Sequence, residues 1–324
     1  MASVEWKTLI VPLKQAVVGY LDYGSRCNLR LCSKDDNEVV KSTKYIAELF
    51  SLEEQRGEEG RSSTITLKLD DFTIRLTEKN NITNIERLWD LERNTRKEAR
   101  LHGVARDLIE LMCNGGQIRT RTMMILNFSP DPKDHWTLKC DELKIRMIGE
   151  RRLKLWLGKT VPNLKRLSIQ EWEIGRWIAE LPQVQTTRDV VSLLRDVEIT
   201  DEQLEKIQAP SVCILSNDTL TETGAERALK KYIENARILD YFQIRFSVSN
   251  SPSTLFHPSS LFDKKWEVES LRNENIEGLF CFKVTGGFEN IHGARSLECL
   301  EFFVFPTYVT FQAKFLSNSN IVEQ

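Results

Sequence analysis

The sequence has few of the signatures of bond-making chemistry. It carries only four histidines, His102, His135, His257 and His292, and no His-x-His, His-Glu-x-x-His or Gly-x-Ser-x-Gly pattern. Its seven cysteines are scattered and odd in number, with no Cys-x-x-Cys pair, which excludes a zinc ribbon or thioredoxin-type motif. Isolated thiols of this kind behave as small buried hydrophobes and fit a reducing compartment. No run reaches the roughly 20 apolar residues of a membrane span, and residues 1–14 lack the basic-then-apolar order of a signal peptide. An intracellular location, cytoplasmic or nuclear, is therefore expected. Excess charge of one sign is missing too: 45 Lys plus Arg face 47 Asp plus Glu, a net charge of −2. Binding to nucleic acid or an anionic membrane would thus need a local patch.

What remains is the composition of a folded chain. The 324 residues are 41% hydrophobic and 28% charged, enough for a sizeable core and long enough for two domains. Residues 5–48 read as a small helical unit. Leu9, Leu13, Val17 and Leu21 recur at i, i+4 spacing on one helix face. Asp22-Tyr23-Gly24 interrupts the run, Ser25 is placed to cap a short helix through Arg30, and Ser33 or Asp35 to cap a third carrying Val39, Val40, Tyr45, Ile46 and Leu49. Glu53–Ser62, charged and without apolar period, reads as a linker. The expected organisation is a helical module at 1–50, a linker at 51–62, a large domain at 63–316 and a polar tail at 317–324.

Ile65, Leu67 and Leu69, then Phe72, Ile74 and Leu76, alternate about Asp70-Asp71 and predict a β-hairpin. Asn84–Cys113 reads as the longest helix, striped by Ile85, Leu88, Leu101, Ala105, Leu108 and Met112 and ended by Asn114-Gly115-Gly116. Beyond it, short apolar strands at 123–128, 143–147, 164–169, 197–199, 212–215 and 242–246 alternate with helical segments such as 201–207 and 223–233. Leu164-x-x-Leu167-x-Ile169 has the cadence of leucine-rich repeats, whose period is roughly 20 to 29 residues. An ordinary α/β sheet fits the same pattern. Aromatic-rich strands at 279–284, 297–305 and 308–315 predict an antiparallel meander that closes one end. The fold class is accordingly α+β or α/β: three helices, then a degenerate leucine-rich-repeat-like α/β domain with a β-rich C-terminal end.

Candidate ligand sites are poor. Gly158-Lys159-Thr160 resembles the end of a phosphate-binding loop, but Leu153 stands where that loop needs glycine. Cys281, His292 and Cys299 fit no compact zinc spacing, and a turn built by Asp131, Asp134 and His135 is simpler than an acid–base pair. No metal or cofactor is expected. Between residues 144 and 166 lie eight bases, Lys144, Arg146, Arg151, Arg152, Lys154, Lys159, Lys165 and Arg166, against the single acid Glu150. With Trp156 among them, they could form a partner or nucleic-acid surface. A solvated face balanced by Asp196, Glu198, Asp201 and Glu202 is favoured over nucleic-acid binding.

The first helix carries the functional argument. From Ile10 to Leu21 only Lys14 and Gln15 are strongly polar, whereas a small bundle needs an apolar stripe of about 100°. More than one face therefore wants burial, and the large domain or another protein must cover the second. Trp6-x-x-Leu9, Val17-Val18-Gly19-Tyr20-Leu21-Asp22-Tyr23, Ser25-Arg26, Leu29-Arg30 and Cys32-Ser33-Lys34 resemble the F-box of the large nematode-type F-box families. One departure is that a Leu-Pro pair is Leu9-Ile10 here, with the proline moved to Pro12. The resemblance implies a three-helix module that binds a Skp-type adaptor, and through it a cullin scaffold, as the non-catalytic substrate-recognition subunit of a ubiquitin ligase. Its docking residues would be Leu9, Pro12, Leu13, Val17, Val18, Leu21 and Leu29, with Arg26 and Arg30 at the rim. The remainder resembles an F-box-associated domain of the FTH type and would hold a protein substrate whose identity the sequence does not give.

Overall fold

The computed structural model describes residues 5–57, 63–88, 95–113, 115–216, 219–235, 241–247, 267–272, 280–290, 293–304 and 308–314. The chain divides into two compact units, residues 1–161 and 162–324. This boundary lies inside the stretch that the sequence assigned to one large domain.

The first unit opens with a 3-10 turn, Trp6–Thr8, and three short helices: α1 (Val11–Gly19), α2 (Tyr23–Cys32) and α3 (Lys34–Ser42). Pro12 sits in the first turn of α1, where its missing N–H costs nothing. Asp22, rather than Ser25, caps α2; its carboxylate accepts from the Ser25 N–H at 2.7 Å and from the Ser25 hydroxyl at 2.9 Å. Ser33 caps α3 by accepting from the Asp36 N–H. The third helix is shorter than its apolar residues suggested. The Ser42 and Thr43 hydroxyls both donate to the Val39 carbonyl at its end, so Tyr45, Ile46 and Leu49 lie beyond it.

A sheet follows directly. Strand β1 (Ala47–Arg56) occupies what the sequence read as the end of the helical module and the start of a linker. Then come β2 (Ser63–Leu69), β3 (Phe72–Lys79), β4 (Ile82–Arg87) and β5 (Thr95–Lys97), helix α4 (Leu101–Met112), β6 (Gln117–Leu126), β7 (Thr137–Arg146) and helix α5 (Glu150–Lys159). Within this unit the strand order is β7-β6-β1-β2-β3-β4-β5. The β7, β6 and β1 ladders are parallel and the rest antiparallel. The β2–β3 hairpin forms about Asp70-Asp71 as the alternation predicts. The long helix expected over 84–113 is instead β4, β5 and the shorter α4. The reason is a second tight turn: Asn80 and Asn81 both adopt positive φ, 55° and 61°, and register Lys79 opposite Ile82. The core of this unit holds Phe50, Leu52, Ile65, Leu67, Leu76, Phe128, Trp136 and Trp156, all essentially without solvent exposure.

The second unit begins with β8 (Arg166–Gln170), a 3-10 turn at Arg176–Glu180, helix α6 (Pro182–Gln185) and β9 (Val190–Val197). Helix α7 (Asp201–Lys206), β10 (Ser211–Ser216), α8 (Glu222–Asn235) and β11 (Tyr241–Ser247) continue it. It ends with β12 (Glu267–Arg272), β13 (Phe280–Asn290), β14 (Gly293–Val304) and β15 (Tyr308–Lys314). Strands β8 to β11 are parallel neighbours, β8, β9 and β10 each being followed by helical chain, and Leu167, Val191, Val212 and Phe242 stand side by side in register. The strand predicted at 197–199 lies earlier, ending at Val197. The aromatic strands form the expected antiparallel meander, β12-β13-β14-β15, joined to β11 through β15. Three helices followed by mixed sheet and helices place the chain in the α+β or α/β class.

Candidate protein-docking surface

The three helices share a small core of Val18, Val39 and Val40, with Trp6, Leu21 and Leu29 packed against it. Trp6 fastens the N-terminal turn to α3. Its indole Nε1 donates to Asp36 Oδ1 at 2.7 Å while the Ser33 hydroxyl donates to Asp36 Oδ2 at 2.7 Å. These two bonds, Ser33's first, hold the Asp36 carboxyl below its ordinary range, aided by the charges of Lys14 and Lys7. Lys14 points inward on α1, its ammonium 5.5 Å above the Trp6 ring, and is nearly buried.

Because α1 turns Lys14 and Val18 toward its own bundle, its other faces are left with apolar side chains. Ile10, Leu13, Val17 and Tyr20, spaced 3, 4 and 3 residues apart, form one continuous stripe and are 64%, 52%, 46% and 93% exposed. Val11 beside them is 55% exposed. This is amphipathicity turned outward, with the solvent side of the helix as greasy as the bundle side. Ile10 and Tyr20 are missing from the motif-derived docking set, although their helical spacing from Leu13 and Val17 would have found them.

The sequence-derived set divides. Leu13, Val17 and Pro12 lie on the surface of α1, and Leu9 is half-buried. Val18 has no exposure and belongs to the bundle core, and Leu21 and Leu29 pack against that core. Arg26 is not a rim residue. It is 3% exposed, and its guanidinium donates to the carbonyls of Gly19, Leu21, Thr43 and Lys44 at 3.0 to 3.3 Å while lying 4.7 Å over the Tyr45 ring. Burial depresses its pKa, and the nearby charge of Arg30 does so further. Tyr23 of α2 meets Phe72 edge-on, with ring centroids 4.9 Å apart. The helices are therefore seated on the sheet of their own unit through α2, with the outer stripe of α1 left open.

The basic stretch 144–166 is spread over several elements. Lys144 and Arg146 face outward on β7, while Arg151, Arg152, Lys154 and Lys159 lie on α5. Much of its charge is answered locally. Arg151 and Arg152 both reach Asp131, at 2.5 and 3.5 Å, Lys154 pairs with Glu150 at 2.9 Å, and Lys159 donates to the Asp134 carbonyl. Lys165 and Arg166 belong to the second unit. The phosphate-loop reading of Gly158-Lys159-Thr160 also fails on geometry: these residues end α5, whereas an anion is bound at a helix N-terminus.

Among the described residues there is no cluster of three metal-ligating side chains and no helix long and apolar enough to cross a membrane. Of the three residues whose spacing fits no compact zinc site, Cys281 is registered opposite Phe303 and Cys299 opposite Lys314, and His292 lies outside the described residues.

The chain is similar to an uncharacterized F-box protein of Caenorhabditis elegans, with 35% identity over 71 residues, which are 22% of this chain and 18% of that protein. The shared stretch thus covers under a fifth of the relative's length. No protein-family model matches the chain, and no solved structure matches it.

Proposed function

We propose that the chain is a non-catalytic substrate-recognition subunit of a cullin–RING ubiquitin ligase, with α1 to α3 as an F-box-like module docking on a Skp-type adaptor. The observation that carries this reading is the exposed stripe Ile10, Leu13, Val17 and Tyr20 on a helix whose inner face is already packed. Covering four large apolar side chains supplies the central, water-excluded patch of a stable interface. The similarity to an F-box protein supports the same assignment. On this reading residues 63–316, with their parallel strand–helix succession, are a leucine-rich-repeat-like receptor related to FTH-type domains that holds a protein substrate. The adaptor and the ligase machinery are intracellular. Ubiquitin transfer is then accelerated by proximity, since the receptor fixes a target lysine near the charged conjugating enzyme and contributes no reacting group itself.

The test is co-purification of the full chain with a Skp-type adaptor, repeated with Leu13→Asp/Val17→Asp. Both positions are solvent-exposed, so the double variant should keep its thermal midpoint while adaptor capture falls at least a hundredfold. Undiminished capture by the folded variant would remove α1 from the interface. A second reading, an interaction protein with no ligase association, draws on the seating of α2 against β3 through Tyr23 and Phe72. It requires that wild-type chain and adaptor elute apart.

A further inference from the structure

Where α2 and the segment after α3 meet the sheet of the first unit, a cavity of about 230 Å³ opens, lined by Arg26, Arg30, Lys41, Lys44 and Arg119 with no carboxylate among its described lining residues. An anion entering this cavity would meet basic side chains on several sides and no acid among the described lining residues. Only two have their charge answered within the protein. Arg26 is spent on four main-chain carbonyls, and Lys41 reaches Glu38 at 3.2 Å. Arg30 is half-buried, and its Nε is shut off from water without a hydrogen-bond partner. Neither Lys44 nor Arg119 has a carboxylate partner among the described residues. The two guanidiniums of Arg26 and Arg30 are close enough that Arg30 helps to depress the Arg26 pKa, after burial. The amide of Gln117 adds a further donor to the wall.

We infer that this cavity is a binding site for a small soluble phosphate ester. A planar guanidinium offers paired donors to two oxygens of one tetrahedral anion, and a lysine ammonium a third, compact charge. A phosphate carries close to two negative charges near neutral pH, so it answers more of the unpaired set than a carboxylate does. The cavity is too small for a folded partner or a nucleic-acid strand. It lies between α2, α3 and β6 rather than on the stripe of α1, so the site stands or falls independently of adaptor docking.

The full chain should be titrated with inorganic phosphate and with pyrophosphate by calorimetry, and its thermal midpoint followed against sodium chloride at equal ionic strength. Saturable binding is expected, tighter for pyrophosphate, with a midpoint shift that chloride does not reproduce. Lys44→Gln/Arg119→Gln should weaken Kd at least tenfold while leaving the circular dichroism spectrum unchanged. If that pair does not fold, Lys44→Gln alone, at an exposed position, should weaken it several-fold. An equal response to chloride, undiminished binding in the folded variant, or binding to phosphatidic acid vesicles without a response to pyrophosphate would each overturn the inference.

Discussion

At the scale of single residues, the most consequential group is one that hides a strand. Glu54 is 3% exposed, on the inward face of β1 between positions that read as core. Burial alone would raise its carboxyl. The His102 ring, 3.3 Å away, and the side chain and N–H of Ser129 outweigh burial and take the pKa down to about 2. A carboxyl whose folded pKa lies below its unfolded value of 4.5 contributes stability that is complete above pH 4.5 and is lost as pH falls toward 2. Across that interval the loss is on the order of 3 kcal/mol. Glu54→Gln should therefore cost about that much at pH 7 and flatten the acid limb, measured by urea unfolding at pH 7 and pH 3. An equal loss at both pH values would show that the charge is not what stabilises β1. Arg26 makes a comparable case. With four carbonyls and the Tyr45 face as its partners, Arg26→Met should destabilise the chain by about 3 kcal/mol. Adaptor capture by the molecules that remain folded should be unchanged. Reduced capture at full stability would return Arg26 to the interface.

At the scale of elements, what was legible in the sequence is what local rules decide alone. The β2–β3 hairpin, the parallel strands of the second unit, α7 and the C-terminal meander all announce themselves by alternation or by caps. Helix α7 shows why: Thr200 accepts from the Gln203 N–H at 3.3 Å and Gln203 returns a bond to the Thr200 N–H at 3.1 Å, a complete capping box at a junction readable from Thr-x-x-Gln. Thr200→Ala should remove about 1 kcal/mol, and the thermal midpoint is the measurement. A change of a few tenths would mean that Asp201, which anchors Thr221 through its N–H and hydroxyl, holds the turn unaided. The elements that escaped were decided by partners far along the chain. A charge at an inward position disguised β1, because its satisfying groups lie 48 and 75 residues away. Asn80-Asn81 turned an apparent helix into a hairpin, a signal present in the sequence but drowned by the apolar period beyond it. For the docking surface, the excess of apolar groups on α1 was legible, but which of them face inward was not. In the fold Val18 packs with Val39 and Val40 while Lys14 lies over the Trp6 ring, contacts between residues that the linear spacing does not pair.

At the scale of the molecule, two features combine. The net charge is −2 and the isoelectric point about 6.2, so electrostatic repulsion between copies is weak near neutral pH and vanishes slightly below it. The apolar stripe of α1 then offers one bare copy an attraction to another that charge does not oppose, since apolar burial does not depend on charge. Without an adaptor, the chain should self-associate with increasing concentration, more at pH 6.2 than at pH 8. Sedimentation velocity across that range gives the measurement. Leu13→Asp/Val17→Asp should return the chain to a monomer at both pH values, because it removes the stripe and adds two negative charges. Adaptor in stoichiometric excess should do the same to the wild-type chain by covering the stripe. Association that persists in the double variant would locate the sticky surface elsewhere. Association that the variant abolishes but the adaptor leaves intact would show that the α1 stripe meets its own kind and not the adaptor.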